Sequence, residues 1–231
     1  MKKKMIGISI KMIAIASAIY GIIMTYFSPM SFTYFTTLSN IFVCVMLIIA
    51  LGKDIYFLVK KKEVKMNNTF YIIKFLATIS ITLTFFVFLT ILAPTIEGGI
   101  IHAYVSYHYG SLCLHFITPL LAIFDFLFFD EDYQEKNTHV FYAIIPPIIY
   151  VIFVVIASSM GLRWGTMAAP YNFLNYKAPT GWFGFNLRLL SWETLGIGVF
   201  YMISFLSLLF IVIGKGFLWI RKKQVNKNKR K

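Results

Sequence analysis

The chain has 231 residues, of which 59% are hydrophobic, 18% aromatic and only 13% charged. Globular domains carry about 45–50% apolar and about 25% charged residues, so this excess is too large for one buried core and implies lipid around most side chains. The net charge of +13 does not imply nucleic acid. Lysine and arginine gather at the ends of apolar runs, in Lys2–Lys4, Lys60–Lys62 and Arg221–Lys231, with no basic face of interleaved aromatics, a pattern that fits membrane topology and anionic headgroups.

A membrane span needs roughly 20 mostly apolar residues. Six segments qualify, at about 5–27, 35–58, 70–93, 110–129, 140–160 and 191–219. The expected fold is therefore all-α integral membrane: one six-helix transmembrane domain over 1–231, with a basic tail at 220–231. The first segment imitates a secretory signal, with Lys2–Lys4 and Ala16-Ser17-Ala18. Its apolar run continues through Phe27, longer than the about 7–15 residues of a signal core, so it reads as an uncleaved helix. Lys11 interrupts it and is expected to snorkel toward the headgroups.

The second segment opens Thr33-Tyr34-Phe35-Thr36-Thr37-Leu38-Ser39-Asn40, and the third is nearly bare of polar groups at its centre, holding mainly Ser80, Thr82 and Thr84. The fourth contains Leu112-Cys113-Leu114-His115-Phe116-Ile117-Thr118-Pro119 and, lower down, Asp125. Cys44 and Cys113 read as small buried hydrophobes rather than a disulfide or metal motif. In the fifth, Pro146-Pro147 predicts a kink. Residues 161–190 hold Gly161, Gly165, Pro170, Pro179, Gly181 and Gly184 with Trp164, Tyr171, Tyr176 and Trp182, which reads as an interfacial loop or a lid over the helix ends. Gly196 and Gly198 with Ser191, Ser204 and Ser207 suggest close packing of the sixth helix.

Direction follows from the positive-inside rule. With both termini cytoplasmic, only Arg163, Lys177 and Arg188 of the 22 Lys and Arg lie outside. The 130–139 loop runs against the pattern, with Asp130, Glu131, Asp132 and Glu135 against Lys136, but acidic residues weigh little in this rule.

In this topology Thr37 and His115 fall at similar depth, near the outer ends of two different helices. A hydroxyl within hydrogen-bond reach of an imidazole is the minimal activated nucleophile. Asn40, three residues after Thr37 and on the same helix face, is a candidate to orient substrate or support an oxyanion. The bland alternatives are a threonine bonded back to its own helix, a histidine or asparagine acting as interhelical glue, and a membrane protein without catalysis, such as a small transporter or lipid-binding partner. A further alternative uses His102, His108 and His115 with Asp125 as a zinc site, but Asp125 lies nearly three turns from His115.

Three places resemble the androgen-induced protein and androgen-dependent TFPI-regulating protein family of six-span membrane proteins and its bacterial relatives. Phe35–Asn40 is similar to the family's aromatic-x-Thr-x-x-(Asp/Asn) element. His115 through Pro119 to Asp125 is similar to its His–Pro element with a later carboxylate, and Pro170-Tyr171-Asn172-Phe173-Leu174-Asn175 to a Tyr-Pro-Phe-Leu element. The His-to-Pro spacing of four is one shorter than in the animal members, and Asn172 stands where the loop motif has proline. The resemblance implies a threonine hydrolase of fatty-acid esters of hydroxy fatty acids or similar lipid esters. Its nucleophile would correspond to Thr37 and its essential histidine to His115, with Tyr171 and Asn175 as further substrate support. It implies a multi-pass protein of the cell membrane with a membrane lipid ester as partner and no cofactor; neither a metal nor nucleic acid is expected from the residue pattern.

Overall fold

The computed structural model describes residues 2–25, 28–130, 132–189, 191 and 194–229. The principal helices are α1 (Lys2–Thr25), α2 (Phe35–Lys60), α3 (Asn68–Val87), α4 (Gly99–Val105), α5 (Gly110–Leu112), α6 (Thr118–Phe129), α7 (Ile145–Ser159) and α8 (Val199–Lys229). No strand forms among the described residues, only isolated bridges such as Trp164 with Met167. Six helical segments are long and apolar enough to cross a membrane: Lys2–Thr25, Phe35–Lys60, Asn68–Leu92, Gly110–Phe129, Asn137–Ser159 and Val199–Gln224. The six-span, all-helical class expected above is thus what the chain adopts.

Local chemistry sets several boundaries. Lys61 ends α2 in the left-handed region, at φ 54°, with its N–H bonded to the Phe57 carbonyl. Asn67 caps α3 by accepting from the Phe70 amide at 2.9 Å, satisfying one of the orphan donors of the first turn. Two π-helical turns interrupt the spans, at Phe88–Leu92 and Cys113–Ile117. Each is followed closely by a proline, Pro94 or Pro119, whose missing N–H leaves the preceding turn without a donor.

Two compact units make up the chain, residues 1–140 with 215–231, and residues 141–214. In the first, α1 packs along α2 and α6, while α3 packs against α2 and α6. Glycines allow the closest approach. A Cβ at Gly7 would stand 2.7 Å from the Phe129 ring, and one at Gly21 would stand 2.7 Å from the Leu114 side chain. α1 and the 110–129 span therefore run antiparallel at the short separation that small residues permit. In the second unit, Asn175 Oδ1 accepts from the Ala168 amide at 3.2 Å, and the Thr180 and Thr194 hydroxyls pair at 3.1 Å.

Three expectations need correction. The last helix begins at Val199, not near 191. Gly196 sits at φ +72° with a Cβ position 2.5 Å from the Asn186 carbonyl, and Gly198 has one 2.5 Å from the Trp182 carbonyl. These glycines build a tight loop rather than a helix–helix contact. Pro146 and Pro147 do not kink a continuous helix, because they occupy its first turn, after a 3-10 segment at Asn137–Ile144. Proline is at home there, since its missing N–H would have no partner anyway. Lys11 does not snorkel: it is 2% exposed and ion-paired inside the first unit.

Candidate functional site

Hydroxyls on membrane helices usually bond back one turn to a carbonyl, and here Thr78, Ser80, Thr82, Thr84 and Thr90 all do so. Thr37 does not. It is fully buried, and its Oγ1 has no hydrogen-bond partner among the described residues. The hydroxyl is thus withheld from the role that most of its neighbours play.

His115 occupies the π turn at Cys113–Ile117. It is buried, and its Nδ1 has no partner among the described residues. Its ring lies flat on Phe88, with centroids 3.6 Å apart and planes inclined by 10°. Phe88 opens the other π turn, so the two irregular segments meet through this stack. Phe88 also takes the edge of Tyr104 at 5.1 Å. The Tyr104 hydroxyl is itself buried and without a partner among the described residues. Burial pushes that phenol up from its ordinary value, which keeps it a neutral O–H donor.

Asn40 joins the two helices. Within the π turn the Thr118 amide donates to the Cys113 carbonyl. In the same register the donor for the Leu114 carbonyl is residue 119, a proline. That orphaned carbonyl is taken by Asn40 Nδ2 at 3.2 Å. The same amide nitrogen donates to the Thr36 carbonyl at 2.9 Å, so both of its hydrogens are committed. What remains is Oδ1, buried and unpaired among the described residues. An acceptor stabilises no oxyanion, so the donor role expected for Asn40 is replaced by a positioning one. It fixes α2, which carries Thr37, against the residue next to His115.

Tyr171 and Asn175 belong to the second unit. Tyr171 stacks on Phe173 at 5.2 Å, and Asn175 is engaged by its own loop through Ala168. Cys44 and Cys113 are both free and buried. His102 and His108 are exposed while His115 is buried, and among the described residues no group of three or more His, Cys, Asp and Glu is placed to hold a metal ion.

Sequence reasoning missed a second constellation. Lys11 Nζ lies 2.7 Å from Asp125 and 3.0 Å from Asp54, and Lys74 Nζ lies 2.5 Å from Asp125 and 2.7 Å from Asp130. Arg221 donates to the Phe126 carbonyl at 2.6 Å and also to the carbonyl of Asp130. Lys11, Lys74, Asp125, Asp130 and Arg221 are all under 5% exposed. Lys74 was legible as the lone cation in the third apolar run, facing the lone carboxylate of the fourth. The acidic excess of the 130–139 loop also has an explanation: Asp130 turns inward to Lys74, and Asp132 pairs with Lys53 at 3.5 Å.

Comparisons with family models, curated proteins and solved structures find no match for this chain.

Proposed function

We propose that the chain is an intramembrane hydrolase of lipid esters, with Thr37 as nucleophile and His115 as base. The observation that carries this reading is the pair of orphaned buried atoms, Thr37 Oγ1 and His115 Nδ1, on segments tied by the Asn40–Leu114 hydrogen bond. A buried polar group without a partner costs about 1–3 kcal/mol, and such groups gather where a ligand completes them. In the proposed reaction Thr37 Oγ attacks the ester carbonyl, and its proton passes to His115. The imidazolium returns that proton to the departing alcohol, and a water deprotonated by His115 then hydrolyses the acyl-threonine. Tyr104, with its free O–H, is the candidate donor to the oxyanion. The apolar helices around Thr37 favour, as substrate, an ester carbonyl carried on hydrocarbon chains.

Labelling with a fluorophosphonate probe tests the assignment directly. Thr37→Ala and His115→Ala are each expected to abolish labelling and ester hydrolysis, and Thr37→Ser to retain a fraction. Tyr104→Phe is expected to slow hydrolysis by about 10²-fold while leaving the protein monodisperse in detergent. A well-folded Thr37→Ala protein that hydrolyses lipid esters at the parental rate would sink the mechanism.

A second reading, a non-catalytic transporter, draws on the buried charges Lys11, Lys74 and Asp125, since ionisable groups inside spans often mark ion paths. It predicts proton or ion flux in proteoliposomes that Lys74→Met abolishes and Thr37→Ala spares. For the topology, we place both chain ends in the cytoplasm and the protein in the cell membrane.

A further inference from the structure

We propose that a cleft between the start of α1 and the end of α2 binds the phosphate headgroup of an anionic phospholipid. The cleft has a volume of about 540 Å³, within the usual range of small-ligand pockets. Six lysines line it against three carboxylates. Each carboxylate already has its lysine: Glu63 pairs with Lys4 at 3.2 Å, Asp54 with Lys11 at 3.0 Å and Asp132 with Lys53 at 3.5 Å. By formal count, six lysines less three carboxylates, the lining has an excess of three positive charges. Lys61 and Lys65, both exposed, carry two of them, on the segment that leaves α2.

The remaining wall is apolar. Phe57, Leu58, Val64 and Phe129 line the same space, and Lys4 Nζ sits 3.2 Å above the Phe57 ring. Cations surrounding an apolar wall suit a phosphate with a hydrocarbon body attached better than a free phosphate ion. Basic pockets between helix ends at headgroup depth are a recurrent form of lipid recognition. The first turn of α1, which gives Lys3 and Lys4 to the lining, has no acidic residue, so its positive dipole end adds to the lysines. The position along α2 is independent of the proposed active site. Thr37 begins that helix and Lys53–Lys61 ends it, roughly 25–35 Å away at about 1.5 Å per residue.

The test uses the full chain purified in detergent and returned to nanodiscs of phosphatidylcholine. Dioleoylphosphatidylglycerol is added, and retention is read by native mass spectrometry and by the shift in melting temperature. Parental protein is expected to retain phosphatidylglycerol over phosphatidylcholine. The double variant Lys61→Gln/Lys65→Gln is expected to weaken retention roughly ten- to thirty-fold. Lys222→Gln/Lys223→Gln removes the same charge from α8, outside the cleft, and is expected to leave retention unchanged. Equal loss in both double variants would reduce the effect to general surface attraction and overturn the site. Inorganic phosphate is the third arm. Stabilisation of the parental protein by phosphate at millimolar concentration, without lipid selectivity, would overturn the lipid assignment. If the Lys61/Lys65 variant fails to fold, the parental comparison of the two lipids still decides: no preference for the anionic one would refute the proposal.

Discussion

Asn40 brings two amide hydrogens and one carbonyl oxygen into a place that is completely buried, so every bond it makes there must come from protein. Both hydrogens go to backbone carbonyls, of Thr36 and Leu114. Replacing it by alanine strands the Leu114 carbonyl, and we expect Asn40→Ala to destabilise the protein by about 1–3 kcal/mol, measured by thermal melting in detergent. In the folded fraction, the fluorophosphonate labelling proposed for Thr37 is expected to fall, because the two helices lose their shared tie. An Asn40→Ala protein with parental melting temperature and labelling rate would remove Asn40 from the site. Thr37 and His115 stand out in the sequence as polar residues in apolar runs, and each has a buried side-chain atom without a partner among the described residues. The commitment of Asn40 was not legible there. It depends on which carbonyl the backbone orphans, and that depends on a π turn that no apolar periodicity reveals.

At the scale of the element, Pro119 decides the shape of the fourth span. In an ordinary α-helix residue 119 would donate to His115, and in the π register to Leu114; a proline can do neither. Alanine at this position restores the donor. We expect Pro119→Ala to relax Cys113–Ile117 toward α geometry, turning His115 off Phe88. Stability is expected to hold or rise while the proposed ester hydrolysis falls. Crystallographic or electron-microscopic density for the 113–117 turn checks the first effect, and the turnover rate checks the second. Retained turnover with an α-helical turn would show that the irregular geometry is incidental. Span number and most helix ends were legible because length and hydropathy determine them. The late start of α8 was not, since the loop before it is held by backbone bonds such as Asn186 N–H to the Gly196 carbonyl at 2.8 Å.

Across the first unit, charge balance replaces hydrophobic packing at one end. Lys11, Lys74 and Arg221 meet Asp54, Asp125 and Asp130, three cations against three anions. Removing one member leaves an uncompensated buried charge, which costs about 3–5 kcal/mol, whereas replacing a pair by apolar residues is often neutral. Lys74→Met is therefore expected to lower the melting temperature sharply, and Lys74→Met/Asp130→Asn to recover much of the loss. Lys11 still pairs with both Asp54 and Asp125, and Arg221 still holds the backbone carbonyl of residue 130. A double variant no more stable than the worse single variant would show that the network is not organised by this pair. Lys74 is inconspicuous to hydropathy, which averages over a window, so that one lysine among apolar neighbours barely lowers it.

The Lys74 contacts also bear on how the protein is made. Its two carboxylates lie 51 and 56 residues further along the chain, so when α3 first leaves the ribosome neither has reached the membrane. Until α6 follows, the third span carries a charge that opposes its partition into lipid by about 2.5–3.5 kcal/mol. We expect nascent chains arrested shortly after α3 to stay beside the translocon, where cross-linking detects them. Chains extended past Asp130 and clear of the ribosome are expected to move into lipid. Lys74→Leu would let α3 leave early. On this view the biosynthetic order of the helices is written into the distance between a lysine and its aspartates.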